Sequence, residues 1–321
     1  MKRLAIVGYG GIAPKHMEVF RALGCEIVAS VNKSPQRREQ AQREGGIPST
    51  YDTLDEMLDR QRPDGVICCP TFDQVFPVAK ALAPRRIPAL LEKPTGVSLA
   101  EFNELCALVA QYQAPQMVGL NRRHYSVVNR AVADAGGPAA VRAVMIDWSE
   151  DPAHLRRKGF SDEQISRWVF SNSIHGLDLM TYLGGGVASP QILSTTGAGP
   201  LDWYMTLSGV SQRGALVNFR SSWGSPGRWR VNICTPNRRY VFAPLETCEV
   251  LERGMAEPRA ILPDEFDARF KPGFYGQARL FLQTIDEGKP PRGYDLESVR
   301  PAMTLAEQLT AACLAGAQGG T

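Results

Sequence analysis

Leu4-Ala5-Ile6-Val7-Gly8-Tyr9-Gly10-Gly11-Ile12-Ala13 is the stretch that decides the fold. Four aliphatic residues read as a buried strand and the glycines turn the chain. Ile12, His16, Val19, Phe20 and Leu23 then recur at helical spacing until Gly24 stops them. The turn matches Gly-x-Gly-x-x-Ala. In that pattern Gly8 permits the tight turn, Gly10 lets backbone approach a pyrophosphate, and Ala13 is small enough for helix to lie on strand. The N–H groups around Gly11 and Ile12 and the positive end of the helix then suit phosphate. Glycine-rich turns follow many strands, so the motif alone is weak; its place between a first strand and a helix favours dinucleotide binding over a merely structural turn.

Outward from this turn, short apolar runs alternate with helical patterns as far as residue 120. Glu26–Val31, Gly65–Cys69, Ile87–Leu91 and Gln116–Leu120 read as strands. Pro35–Glu44, the capping boxes Thr53-x-x-Glu56 and Ser98-x-x-Glu101, and Phe72–Ala83 mark helices between them. Strands separated by helices of about ten residues imply an α/β fold with a doubly wound parallel sheet. After the second strand an acid would hold the ribose hydroxyls of NAD, but Asn32-Lys33-Ser34 stands there, followed by Arg37. Lys33, Ser34 and Arg37 suit a 2′-phosphate, which points to NADP, with NAD served by the amide as the alternative.

At 321 residues the chain is long enough for two domains, and 44% hydrophobic with 21% charged residues is the balance of a folded globular protein. The 36 basic and 33 acidic residues leave only +3, spread along the chain, so neither nucleic acid nor a membrane surface is indicated as a partner. Met1-Lys2-Arg3 before an apolar run resembles a leader, but glycines and then Pro14, Lys15 and His16 break the run. It reads as part of the folded protein. Seven cysteines and four histidines without metal-ligand spacing argue against a metal site and for a reducing, cytoplasmic setting.

Further residues carry a family resemblance. Glu92-Lys93-Pro94 follows the strand ending at Leu91, and Asn172-Ser173-Ile174-His175-Gly176-Leu177-Asp178 comes much later. Cys69-Pro70-Thr71, Val118-Gly119-Leu120-Asn121-Arg122-Arg123 and Arg300 to Glu307 fall at matching places. In this order the segments resemble the glucose–fructose oxidoreductase/inositol dehydrogenase (Gfo/Idh/MocA) family. The resemblance implies a Rossmann domain over residues 1–120, with Gly8, Gly10, Gly11, Ile12, Asn32, Lys33, Ser34, Arg37, Pro70, Thr71, Glu92 and Lys93 near the cofactor. Residues 121–321 would form an α/β domain with a large open, mostly antiparallel sheet that joins subunits into a dimer or tetramer. Strand-like stretches at Val141–Trp148, Trp203–Ser208, Leu216–Ser222, Arg228–Cys234, Arg239–Phe242 and Cys248–Leu251 agree, with helices at Tyr275–Glu287 and Leu296–Ala315.

For the chemistry, the resemblance implies that Lys93 contacts the reacting hydroxyl or carbonyl, that His175 is the acid–base, and that Asp178 positions histidine or substrate. The three would serve one catalytic site. Spacing alone also fits a His–Asp pair bracing a helix, since residues three apart share a face. Asn121, Arg122 and Asn172 are candidates for substrate contact, although Arg122-Arg123 reads equally well as a solvated pair. Many relatives carry an aspartate one turn before the histidine, where Ser171 stands here. The implied activity is NAD(P)-dependent transfer of hydride at a secondary alcohol or ketone of a sugar or nucleotide-sugar-like substrate. An NAD-retaining glycosidase on the same fold and a non-catalytic dinucleotide sensor are the alternatives, the latter disfavoured by Lys93 and His175 together.

Overall fold

In the computed structural model, which describes residues 1–318, the opening aliphatic run lies in β1 (Arg3–Val7) at the centre of a six-stranded parallel sheet. The other strands are β2 (Glu26–Val31), β3 (Ser49–Tyr51), β4 (Gly65–Cys68), β5 (Ala89–Leu91) and β6 (Gln116–Val118), in the order β3-β2-β1-β4-β5-β6. Five helices connect them: α1 (Ala13–Ala22), α2 (Pro35–Arg43), α3 (Leu54–Gln61), α4 (Val75–Leu82) and α5 (Leu99–Tyr112). Ser34, Thr53 and Ser98 cap α2, α3 and α5 by accepting backbone N–H groups, as their sequence positions predict. The strand order reverses direction between β1 and β4, the place where such sheets bind ligands at their carboxyl ends.

The chain divides into two compact units, and the division departs from a single cut after residue 120. The first unit comprises Met1–His124 and Phe266–Arg300; the second comprises Tyr125–Glu265 and the chain from Pro301 on. The physical cause is α11 (Phe274–Glu287), whose Phe274, Ala278 and Phe281 are buried in one core with Leu4, Ile6 and Phe20. Phe281 meets Phe20 edge to face at 5.9 Å. Burial of each such side chain stabilises the unit by about 1.5–3 kcal/mol, enough to place this late helix with the first sheet. The short α10 (Glu265–Arg269) leads into it, and Phe266 stacks on Tyr275 at 3.8 Å.

The second unit begins with α6 (Ser126–Asp134) and is built on an eight-stranded sheet: β7 (Ala143–Asp147), β8 (Gln191–Thr196), β9 (Trp203–Val210), β10 (Leu216–Ser222), β11 (Arg230–Cys234), β12 (Arg238–Phe242), β13 (Cys248–Glu252) and β14 (Arg259–Ile261). Only β7 and β10 pair in parallel; every other neighbouring pair is antiparallel. This is the α/β class and the mostly antiparallel sheet expected. Two short helices, α7 (Pro152–Arg157) and α8 (Asp162–Ser166), follow β7. Then α9 (Ile174–Gly184) lies on β7 and β10, so close that a Cβ at Gly176 would stand 2.8 Å from the Trp148 ring and 2.9 Å from Phe219. The last helix, α12 (Arg300–Gln318), covers β8 and β9, where Ser194 donates to the Ala312 carbonyl at 3.0 Å.

Candidate active site

In the first unit the glycine turn is locked from below. Gly8 has φ +90°, and a Cβ there would lie 2.4 Å from the Pro70 Cα and 2.7 Å from the Cys69 carbonyl oxygen, so no other residue fits. Pro70 thus acts as the floor of the turn; Thr71 is exposed and its carbonyl accepts the Gln74 N–H at 2.8 Å. At Gly10 and Gly11 an added Cβ would meet nothing within 4 Å. No side chain caps α1 and its first turn holds no acid. An open glycine surface beside an uncapped helix N-terminus is a fit for the pyrophosphate of a dinucleotide.

Asn32, expected at the ribose, has an internal task. Its Oδ1 accepts the Tyr9 N–H at 2.6 Å and its Nδ2 donates to Ser30 Oγ at 3.2 Å, so the buried carboxamide braces the glycine turn. Lys33 and Arg37 stay exposed, and Arg37 donates to Gln40. Ser34 is occupied as the α2 cap. Arg38, next to Arg37, donates to the Asn32 and Lys33 carbonyls at 2.8 and 3.0 Å and fixes the loop.

Lys93 follows β5 directly and is half-buried at the carboxyl edge of the sheet. Its neighbour Glu92 points its carboxylate at His16 of α1, with Oε1 2.8 Å from Nε2. Burial works to raise the Glu92 pKa; the His16 hydrogen bond and charge, then the charges of Lys93 and Arg122, overcome it and hold the carboxyl below its ordinary value. His16 stacks on Phe274 at 4.5 Å, and its pairing across 76 positions carries no local sequence signal.

Asn121 and Arg122 bond to each other at 2.7 Å, and the Asn121 amide donates to the Pro272 carbonyl at 2.9 Å. Those hydrogen bonds give Asn121, expected at the substrate, a structural role inside the first unit. Arg123 departs from the solvated alternative: it is buried and donates to the Gly293 and Ser298 carbonyls.

In the second unit His175 and Asp178 are both buried on the first turns of α9. A π-helical turn, Val169–Ser173, delivers the chain into that helix; such turns are frequent at functional sites. Asn172 lies on this turn, and its Nδ2 donates to both carboxylate oxygens of Glu150, each at 3.0 Å. Trp148 Nε1 and Ser173 Oγ donate to Glu150 Oε1 at 3.1 and 3.2 Å. Glu150 is only 9% exposed, and no local sequence signal marks it because Asn172 and Ser173 reach it from more than twenty positions away. Among the described residues no group of three or more His, Cys, Asp or Glu is placed to hold a metal ion. No helix there is long and apolar enough to cross a membrane.

The first unit thus carries a glycine turn at a sheet switch point and a lysine on the same edge. Residues 2–120 match the model of the GFO_IDH_MocA oxidoreductase family, described as an NAD-binding Rossmann fold. The chain's first 120 residues thus match this family's Rossmann domain. The chain is 26% identical over 324 residues to the rhizopine catabolism protein MocA of Rhizobium meliloti, covering 96% of this chain and 94% of that protein. It is 25% identical over 193 residues to the glucose-6-phosphate 3-dehydrogenase of Bacillus subtilis, covering 57% and 54%. In fold it is similar to the crystal structure of UDP-N-acetylglucosamine 3-dehydrogenase from Acidithiobacillus ferrooxidans, with TM-score 0.78, 19% identity and 99% of each chain covered.

Proposed function

We propose that this oxidoreductase transfers hydride between a nicotinamide dinucleotide and the carbon of a secondary alcohol or ketone on a sugar or nucleotide-sugar-like substrate. The observation that carries the reading is that Lys93 stands on the same carboxyl edge of the sheet as the open glycine turn, next to the switch point. The dinucleotide, when bound, supplies or accepts the hydride; the glycine turn and the start of α1 would hold its phosphates. Lys93 holds the reacting oxygen and stabilises negative charge on it. His175 takes the hydroxyl proton on oxidation and returns it on reduction, and Asp178, three residues on, orients the imidazole or the substrate.

Lys33 and Arg37 favour NADP, because both are exposed cations beside the loop where the adenine ribose would sit. Titration of both cofactors at one ionic strength should give NADP about tenfold tighter or more, as one charge-assisted hydrogen bond implies; a preference for NAD would overturn that choice. The outer face of the second sheet exposes Leu193 (71%), Val210 (66%) and Leu216 (53%), with Val210 and Leu216 paired across β9 and β10. These exposed apolar side chains, with Thr206 and Ser208 between Leu193 and the Val210–Leu216 pair, support a homodimer or tetramer joined through the sheet. All seven thiols are free, in keeping with a cytoplasmic protein. The test of the activity is a screen of sugars, sugar phosphates and nucleotide sugars with each cofactor, read as nicotinamide absorbance. No turnover with any of them, from protein that binds dinucleotide, would sink the substrate assignment.

A further inference from the structure

Gln277 lies on α11 and is wholly buried, yet neither its Nε2 nor its Oε1 has a hydrogen-bond partner among the described residues. Phe274, Ala278 and Phe281 are buried on the same helix, so an apolar side chain would be the default at this position. A carboxamide buried with both heads unmatched is costly, and folded proteins commonly match such groups through an ordered water.

What Gln277 faces is set by Gly119, just beyond β6. A Cβ on Gly119 would lie 3.1 Å from the Leu91 carbonyl oxygen, 3.5 Å from Glu92 Oε1 and 3.6 Å from Gln277 Nε2. The glycine therefore leaves a space bordered by two acceptors from the end of β5 and one donor from α11. Leu91 O already accepts the Gly119 N–H at 2.7 Å and Glu92 Oε1 already meets His16, but an oxygen of either kind has a further lone pair. A water in this space accepts from the amide and donates to the carboxylate and the carbonyl, three bonds being usual for a buried water. An anion would be repelled by Glu92, a cation would face the amide N–H, and an apolar group would match none of the three atoms.

We propose that Gln277 is a positioning residue: through one water held at Gly119 it donates to Glu92 and, together with His16, fixes that carboxylate beside Lys93. The charges that act on Glu92 are those of His16 on α1, Lys93 and Arg122. Its own charge adds to the burial that pushes the Cys68 and Cys69 thiols up at the end of β4. A carboxylate that turned away or took up a proton would change the field at the neighbouring ammonium. This deepens the functional reading above and rests on it only for the task of Lys93.

Gln277→Met keeps the length of the side chain and removes both polar heads. The variant should melt about 2–4 °C below the parent, as loss of one hydrogen-bonded link implies. Glu92 should gain about tenfold in proton affinity, read from the carbon resonance of its carboxyl group, which is assigned by its loss in Glu92→Gln. In the Glu92→Gln background the melting loss from Gln277→Met should shrink to about half or less, because the two side chains share the water. A glutamine that only filled space would move neither the titration nor the coupling. A melting temperature that is unchanged or raised, an unmoved Glu92 titration, or equal losses in both backgrounds would each overturn the proposal. A high-resolution crystal structure of the unaltered protein depends on no variant folding and should show the water in contact with Gln277, Glu92 and the Leu91 carbonyl; a carboxamide without it would also overturn the proposal. Coupling between Gln277 and Glu92 with a Lys93→Ala variant that turns over the screened sugars at the parent rate would leave the bridge standing and the functional reading wrong. Loss of turnover in Lys93→Ala without that coupling would do the reverse.

Discussion

Each unit places a glutamate just beyond a strand end, Glu92 after β5 and Glu150 after β7, and the two are held in opposite ways. Glu92 meets an imidazole that can carry charge, whereas Glu150 meets an indole, an amide and a hydroxyl. A chargeable partner uses up the carboxylate inside the protein and ties it to pH. Neutral donors orient the carboxylate through hydrogen bonds. The first unit thus spends buried charge on building a sheet edge, while the second sets its carboxylate on the wall of a cavity of about 660 Å³.

The largest expected effect separates the units by chemistry. His175→Ala, in the second unit, should lower turnover by ~100-fold or more, the usual contribution of general acid–base catalysis, while dinucleotide affinity stays within about twofold. Equilibrium titration and steady-state rates check both halves. A variant that loses dinucleotide binding yet melts normally would break the division of labour.

Acid lability should be a property of the first unit. Burial, then the charge of Arg123, depresses the His124 pKa to about 3, and its ring stacks on Tyr294 at 5.2 Å. The unfolded chain protonates this histidine near pH 6.5 while the folded one stays neutral, so stability is full above that value and falls as pH drops towards 3. Two pH units of that window, from 6.5 to 4.5, cost about 3 kcal/mol at ~1.36 kcal/mol each. His124→Gln should flatten the melting-temperature profile in this range. An unchanged slope would show that another group carries the acid response.

The smallest effect sharpens the contrast between the glutamates. Glu92→Gln should cost about 1–3 kcal/mol at pH 7, since it weakens a charge-assisted bond to a buried imidazole. Because the folded pKa of Glu92 lies below its ordinary value of ~4.3, the cost should be full above that pH and vanish as pH falls through the folded pKa. Urea unfolding of both proteins from pH 7 to 3 measures it. A cost that is constant with pH would mean that Glu92 acts through packing alone.

Local patterns determined much of the molecule. The run Leu4–Val7, the glycine turn and the cap residues Ser34, Thr53 and Ser98 act over a few positions, and β1, α1 and the starts of α2, α3 and α5 follow from them. Glu92-Lys93-Pro94 and His175 with Asp178 were legible as candidates through the family resemblance, because their local spacing fits an ion-paired strand end and a braced helix as well. The strands β3, β8 and β14 were not: most of their residues are half-buried or exposed, so no buried apolar run marks them, whereas the equally short β5 and β6 are fully buried. Tertiary structure alone decided the rest, because those interactions join residues far apart in the chain. The apolar face of α11 is ordinary helix in sequence, and only the complementary surface of β1 and α1 assigns it to the first unit. Asn32 turns inward because an unpaired Tyr9 N–H needs an acceptor once the glycine turn closes. Glu150 becomes a fixed carboxylate only when the π-helical turn brings Asn172 and Ser173 to it across more than twenty positions, a distance over which no sequence period operates.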